Sequence, residues 1–161
     1  MTDLLKIETL RASKLGAELT PDQCRVLANL IVFRDLADGE VLVAEGTRDN
    51  HLYVIVGGNL RVVRNAGSPE EVTLFVLTAG DLVGELSFID GTEHYASLVS
   101  RGATHVFGLE REQLESLLKS DADVVYRVMR AILRTVHAIQ RRLSMQQVEL
   151  TNYIYKQHGK Y

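Results

Sequence analysis

Apolar positions along the 161-residue chain change their spacing twice. Between residues 3 and 31, Leu4, Leu5, Leu10, Leu15 and Leu19 are widely spaced. Cys24, Val26, Leu27, Leu30 and Ile31 then gather on one broad face. This spacing predicts helices. Thr20-Pro21-Asp22 marks the start of the second, a hydroxyl cap followed by proline at the first helical position, where no N–H is needed. Residues 32–110 read differently. Short runs rich in Val, Leu, Ile and Phe at 40–44, 52–56, 60–64, 72–77, 96–100 and 104–109 are broken by Gly, Asp and Asn. Many short strands with regular turn signals predict an antiparallel sandwich or barrel. Gly57-Gly58-Asn59 predicts a hairpin between two of them. Asn65-Ala66-Gly67-Ser68-Pro69 predicts a longer loop.

From residue 111 the pattern turns helical again. Residues 112–118 predict a short helix, and Asp121 or Asp123 can cap a long one. In the long helix Val125, Met129, Ile132, Val136, Ile139 and Leu143 alternate in steps of four and three, and Gln146 and Leu150 keep the register. That is a coiled-coil seam. Beside it runs a second stripe of small apolar residues: Val124, Val128, Ala131, Thr135 and Ala138. One stripe can pack on the strands. The other then needs a partner, and a second copy of the same helix is the simplest one, so a homodimer is expected through this helix. Residues 1–120 are expected to hold the N-terminal helices and the β-domain, 121–150 the long helix, and 151–161 a tail.

Composition narrows the function classes. Hydrophobic residues make up 46% and charged residues 24%, which suits a globular domain rather than a disordered chain. The formal net charge of −3 carries no basic excess of the kind that supplies nucleic-acid affinity. Residues 151–161 are too short to fold as a DNA reader, so direct DNA binding is not expected. The single cysteine, Cys24, forms no internal disulfide and no zinc pair. No apolar run approaches the roughly 20 residues that cross a bilayer, so the expectation is a cytoplasmic protein without a membrane role. No nucleophile motif, paired catalytic carboxylates or GxxxxGK loop is present, which points away from an enzyme.

One constellation carries more than fold. Gly39-Glu40 precedes a strand and Gly46 follows it. Leu52-Tyr53-Val54-Ile55, Gly58 and Gly80-Asp81 come next, then Gly84-Glu85-Leu86 with Gly91-Thr92 behind it. In this order and spacing, over residues 20–150, the chain resembles the cyclic-nucleotide-binding domain family, which includes bacterial catabolite-activator-like regulators and the regulatory subunits of cyclic-AMP-dependent kinase. The resemblance implies a mainly β fold with flanking helices: a jelly-roll-like antiparallel β-barrel plus a long C-terminal dimerisation helix. It also implies a phosphate cassette at residues 83–98. There the N–H groups near Leu86, Ser87 and Phe88 would face a cyclic phosphate. Glu85 would accept from a ribose hydroxyl, and Gly84, Tyr95, Ala96 and Ser97 would line the seat. The implied ligand is cyclic AMP or cyclic GMP, with no metal.

The cassette departs from the family at the position that matters most. Aligned on Gly84, Gly91 and Thr92, the family's phosphate-binding arginine falls on His94, and Tyr95 replaces a small residue. Asp90 and Glu93 add negative charge to the loop. An ordinary histidine titrates near 6.5 and offers at most a partial charge at neutral pH. Losing a bidentate charge-assisted contact costs on the order of 3 kcal/mol, more than a hundredfold in affinity. The expectation is therefore a regulatory signalling module, without catalysis, whose cyclic-nucleotide affinity is weak or lost. Two alternatives stay open: an interaction module with a vestigial pocket that recruits a protein partner, and a haem or gas sensor using His94 or His51.

Overall fold

The computed structural model describes residues 2–158. Gly159, Lys160 and Tyr161, the end of the expected tail, lie outside the described residues. Two short helices open the chain, α1 (Asp3–Ala12) and α2 (Pro21–Ala28). Between them the chain turns tightly at Gly16, where a Cβ would stand 2.1 Å from the Leu10 carbonyl oxygen. α2 starts as the sequence requires. The Gln23 N–H donates to Thr20 Oγ1 at 3.3 Å and the Thr20 N–H donates to Gln23 Oε1 at 3.0 Å, a reciprocal cap that satisfies two otherwise orphaned donors.

Helix does not continue to residue 31. Residues Ile31–Leu36 form strand β1, followed by β2 (Val41–Val43), β3 (His51–Arg64), β4 (Val72–Thr78) and β5 (Leu82–Val83). A short helix α3 (Glu85–Asp90), strand β6 (Ser97–Glu110), a second short helix α4 (Arg111–Ser116) and the long α5 (Ala122–His158) complete the chain. All strand pairs are antiparallel. The order is β1-β6-β3-β4, with β2 also on β6 and β5 also on β3.

The expected hairpin at Gly57-Gly58-Asn59 is absent. β3 runs straight through those glycines, and β6 runs through Gly102, so the two pair along almost their full length from His51–Glu110 to Val63–Ser97. The register slips on either side of Gly57. Gly58 has φ 80°, and a Cβ there would lie 2.4 Å from the Ala103 carbonyl oxygen and 2.8 Å from Thr104 Cα. The glycines therefore make a bulge that bends one long strand around the roll, not a reversal.

Two buried clusters result. One joins Leu10, Leu27, Leu52, Val54, Phe107 and Leu109 to α5 residues Val124, Val128, Ala131 and Ile132. The other comes from the strands and the segment before β6, including Leu36, Ile55, Leu60, Val62, Leu98 and Val106. The second apolar stripe of α5 is thus the one that packs on the roll. Ile132, expected in the dimer seam, is 1% exposed and belongs to the monomer's core, because it sits on the edge of the seam nearest that stripe. Val125 and Val136 are half-buried against the same cluster. Met129, Ile139 and Leu143 remain exposed. α5 also continues past residue 150 to His158, so the segment expected as a tail is helical over its described part. At 37 residues the helix is about 55 Å long and outreaches the roll.

Candidate functional site

The site is built where β5 ends against β3. Tyr53 pairs with Val83 in the ladder, and Gly84 then turns the chain with φ 85°. A Cβ at Gly84 would lie 2.8 Å from the His51 carbonyl oxygen, so only glycine lets α3 begin this close to β3. Gly91, also left-handed, ends α3 by donating its N–H to the Ser87 carbonyl at 2.9 Å. The return segment is pinned to the loop before β3. The Gly46 N–H donates to the His94 carbonyl at 2.8 Å and the His94 N–H donates to the Thr47 carbonyl at 2.9 Å.

This framing sets the His94 ring against Asp49. Its Nε2 lies 2.8 Å from Asp49 Oδ1, and the side chain is only 8% exposed. The Tyr53 hydroxyl donates to the other oxygen of Asp49 at 2.7 Å, and the Ser87 hydroxyl donates to the Asp49 carbonyl. Burial, then the bond to Asp49, pushes the Tyr53 hydroxyl far above its usual range. Asp49 therefore organises the site. Nothing in the local sequence marks it, since it lies in a polar loop 45 residues before His94 and meets it only through the fold.

Against this framework lies a cavity of about 330 Å³. Gly84, Glu85, Leu86, Ser87, His94, Tyr95 and Ala96 all line it, as the cassette reading requires. Ser97 does not. It is buried, and its Oγ accepts the Glu45 N–H at 2.9 Å, which secures the loop before β3. The cavity's other wall was not legible as such: Val136, Ile139, Gln140 and Leu143 of α5 close over it. Three of these had been assigned only to the dimer seam.

The electrostatics are those of an acceptor-rich pocket. Among the described residues no lysine or arginine lines it, whereas Glu85 and Glu93 do. Glu93 is held at the rim by Arg48, 3.1 Å away, with both side chains exposed. Asp90 is occupied locally, accepting the Thr92 N–H at 3.1 Å. Burial pushes the Glu85 carboxyl above its usual range, opposed by its own backbone N–H and by His94. Tyr95 is raised as well, by burial and then by the Glu85 charge.

His94 and His51, the two histidines named for a haem, have different surroundings. His94 is committed to Asp49. The His51 ring stacks on Tyr53 at 5.7 Å with its Nδ1 buried and without a hydrogen-bond partner. Among the described residues no three His, Cys, Asp or Glu side chains gather to hold a metal ion, and no helix is long and apolar enough to cross a membrane.

Comparison with known proteins identifies the family and the fold. The profile of the cyclic nucleotide-binding domain matches residues 33–121. The cyclic AMP receptor protein of Thermus thermophilus is 28% identical over 110 residues, covering 68% of this chain and 51% of the relative. The chain thus spans about half of that relative's length. Among solved structures, the catabolite activator protein of Thermus thermophilus superposes with a TM-score of 0.67 at 27% identity, covering 89% of this chain and 64% of that one. A cyclic nucleotide-binding domain from Methylobacillus flagellatus KT superposes with a TM-score of 0.76 at 24% identity, covering 87% and 80%. The last shares the fold.

Proposed function

Because the chain belongs to the cyclic nucleotide-binding domain family, we propose that it is a regulatory binding module, with the cavity as its input and α5 as its output. One observation carries this reading. Val136, Ile139 and Leu143 line the cavity, and Ile139 and Leu143 also belong to the exposed apolar seam of the same helix. Whatever fills the cavity touches the element that meets a partner. A ligand that binds one pose of α5 better than another shifts the population of poses by its difference in affinity for them. No step of bond chemistry is needed, and the module is regulatory rather than catalytic.

The partner is a second copy of the chain, joined through the α5 seam at Met129, Ile139, Leu143 and Leu150, all exposed in the single chain. Cyclic AMP or cyclic GMP binds weakly. The bond between His94 and Asp49 and the lining without lysine or arginine support this. Charge-assisted contacts contribute about 1.5–3 kcal/mol each, so a seat without one loses about 10- to 150-fold. Calorimetric titration with both cyclic nucleotides, paired with sedimentation velocity, tests the reading. Weak binding by a dimer is expected. Capture at micromolar concentration or better would reject the weakened seat, and a monomer at all concentrations would reject the output.

A further inference from the structure

We infer that the cavity takes a largely apolar small molecule bearing a protonated amine, with the ammonium seated on Glu85 and the body against the α5 roof. The assignment rests on the reading of the cavity as the input site and names the ligand class for it.

The charges around the cavity are matched within the protein except at one place. His94 meets Asp49 at 2.8 Å, and Glu93 meets Arg48 at 3.1 Å. Glu85 has no ion pair of this kind among the described residues, and its donor is its own backbone N–H. It sits on a lining that is otherwise mostly apolar, with Val62, Leu82 and Leu98 on the strand side and Val136, Ile139 and Leu143 on the helix side. Burial disfavours the charged form of this carboxylate, and its own backbone N–H and the neighbouring His94, itself bonded to Asp49, offset that only in part. An ammonium completes it, bringing one positive charge and three donors. An apolar body displaces water from the walls. A cavity of about 330 Å³ lies at the small end of the range for ligand pockets, about 300–1,000 Å³. An anion of the same shape meets Glu85 and finds no lysine or arginine on the lining.

Tryptamine, tryptophol and indole-3-propionate test this directly. They share an indole body and a two-carbon arm, and carry ammonium, hydroxyl and carboxylate heads. Each is titrated into the ¹⁵N-labelled full chain at pH 7 and followed by amide chemical shifts, with cyclic AMP in parallel. Expected are shifts at residues 84–96 and 136–143. Tryptamine should bind tightest, about tenfold or more tighter than indole-3-propionate, and Glu85→Gln should remove that preference. The assignment is overturned if tryptamine is not the tightest of the three, if its preference survives Glu85→Gln, or if none of the three binds. Silence from all three indoles together with weak cyclic AMP binding rejects the amine alone and leaves the module reading standing. Tight cyclic AMP binding rejects the amine and the weakened seat and leaves the cavity as the module's input, whereas shifts from all four compounds that avoid residues 84–96 reject the cavity as the input site.

Discussion

Replacing His94 with arginine should restore the anion seat that the cassette's backbone still outlines. The side chain at position 94 is aimed at Asp49, 2.8 Å away, with 8% of its surface exposed. Asp49 also accepts the Tyr53 hydroxyl at 2.7 Å, so it is a fixed target rather than a mobile one. A guanidinium carries five donors in a planar fork. One edge can pair with Asp49 while the other faces the cavity that His94 already lines. Each charge-assisted bond to a phosphate contributes about 1.5–3 kcal/mol, which is a gain of about 10- to 150-fold in affinity. Repulsion from Glu85 is the same before and after the change, so it cancels in the ratio. Tyr95, next in the chain, also lines the cavity, is 51% exposed and is a bulky neighbour of the new side chain. His94→Arg is therefore measured alone and with Tyr95→Ala, by calorimetry with cyclic AMP. At least tenfold tightening is expected in one of the two. If neither binds more tightly and both melt like the parent, the phosphate seat does not lie at residues 84–97.

Four further outcomes follow from the packing and the buried charge. Glu85→Gln should raise the melting temperature at pH 8. A carboxyl whose pKa is raised on folding contributes stability below its unfolded value, near 4.3, and loses it as pH rises through the folded value. The advantage of the glutamine should therefore shrink as the pH is lowered toward 4, and a gap that widens on acidification would contradict the sign. Ile132→Ala should lower stability by about 2–5 kcal/mol in denaturant titrations, since Ile132 is 1% exposed in the core. Met129→Glu with Leu150→Glu should instead leave the fold intact and shift sedimentation toward the monomer; equal behaviour of the two sets would undo the division of α5 into a core stripe and a seam. Gly58→Ala should cost more than about 3 kcal/mol, because the left-handed backbone and a 2.4 Å approach to the Ala103 carbonyl both oppose a Cβ. A melting curve like the parent's would show that the bulge can relax.

Legibility divided along the range of the interactions involved. The start of α2 at Thr20 and Pro21 is local and was read directly, while the reciprocal bond from Gln23 came from the structure. The strand character of residues 40–110 was plain from composition and turn residues. Gly84 and Gly91 were legible as conformational glycines, and both turn left-handed at the ends of α3. The bulge at Gly58 was not. A glycine with positive φ can close a hairpin or kink a continuing strand, and only the pairing of β3 with β6 some 45 residues away selects the kink. β1 was missed for a similar reason: Ile31 fits an apolar helix face and a strand equally well, and its pairing with Leu109 decides.

By itself, then, the sequence determined a β-roll flanked by helices, a short helix bounded by Gly84 and Gly91, and a long helix with more apolar surface than one face can hide. Those are properties of local pattern, where each residue's effect is felt within a turn or a strand. The tertiary structure alone decided that Asp49 takes His94, that Ser97 serves the Glu45 amide, that Ile132 goes to the core, and that Val136, Ile139 and Leu143 roof the cavity. Each depends on which of several chemically acceptable partners the folded chain brings within reach, and contacts between segments tens of residues apart leave no periodic trace in the chain.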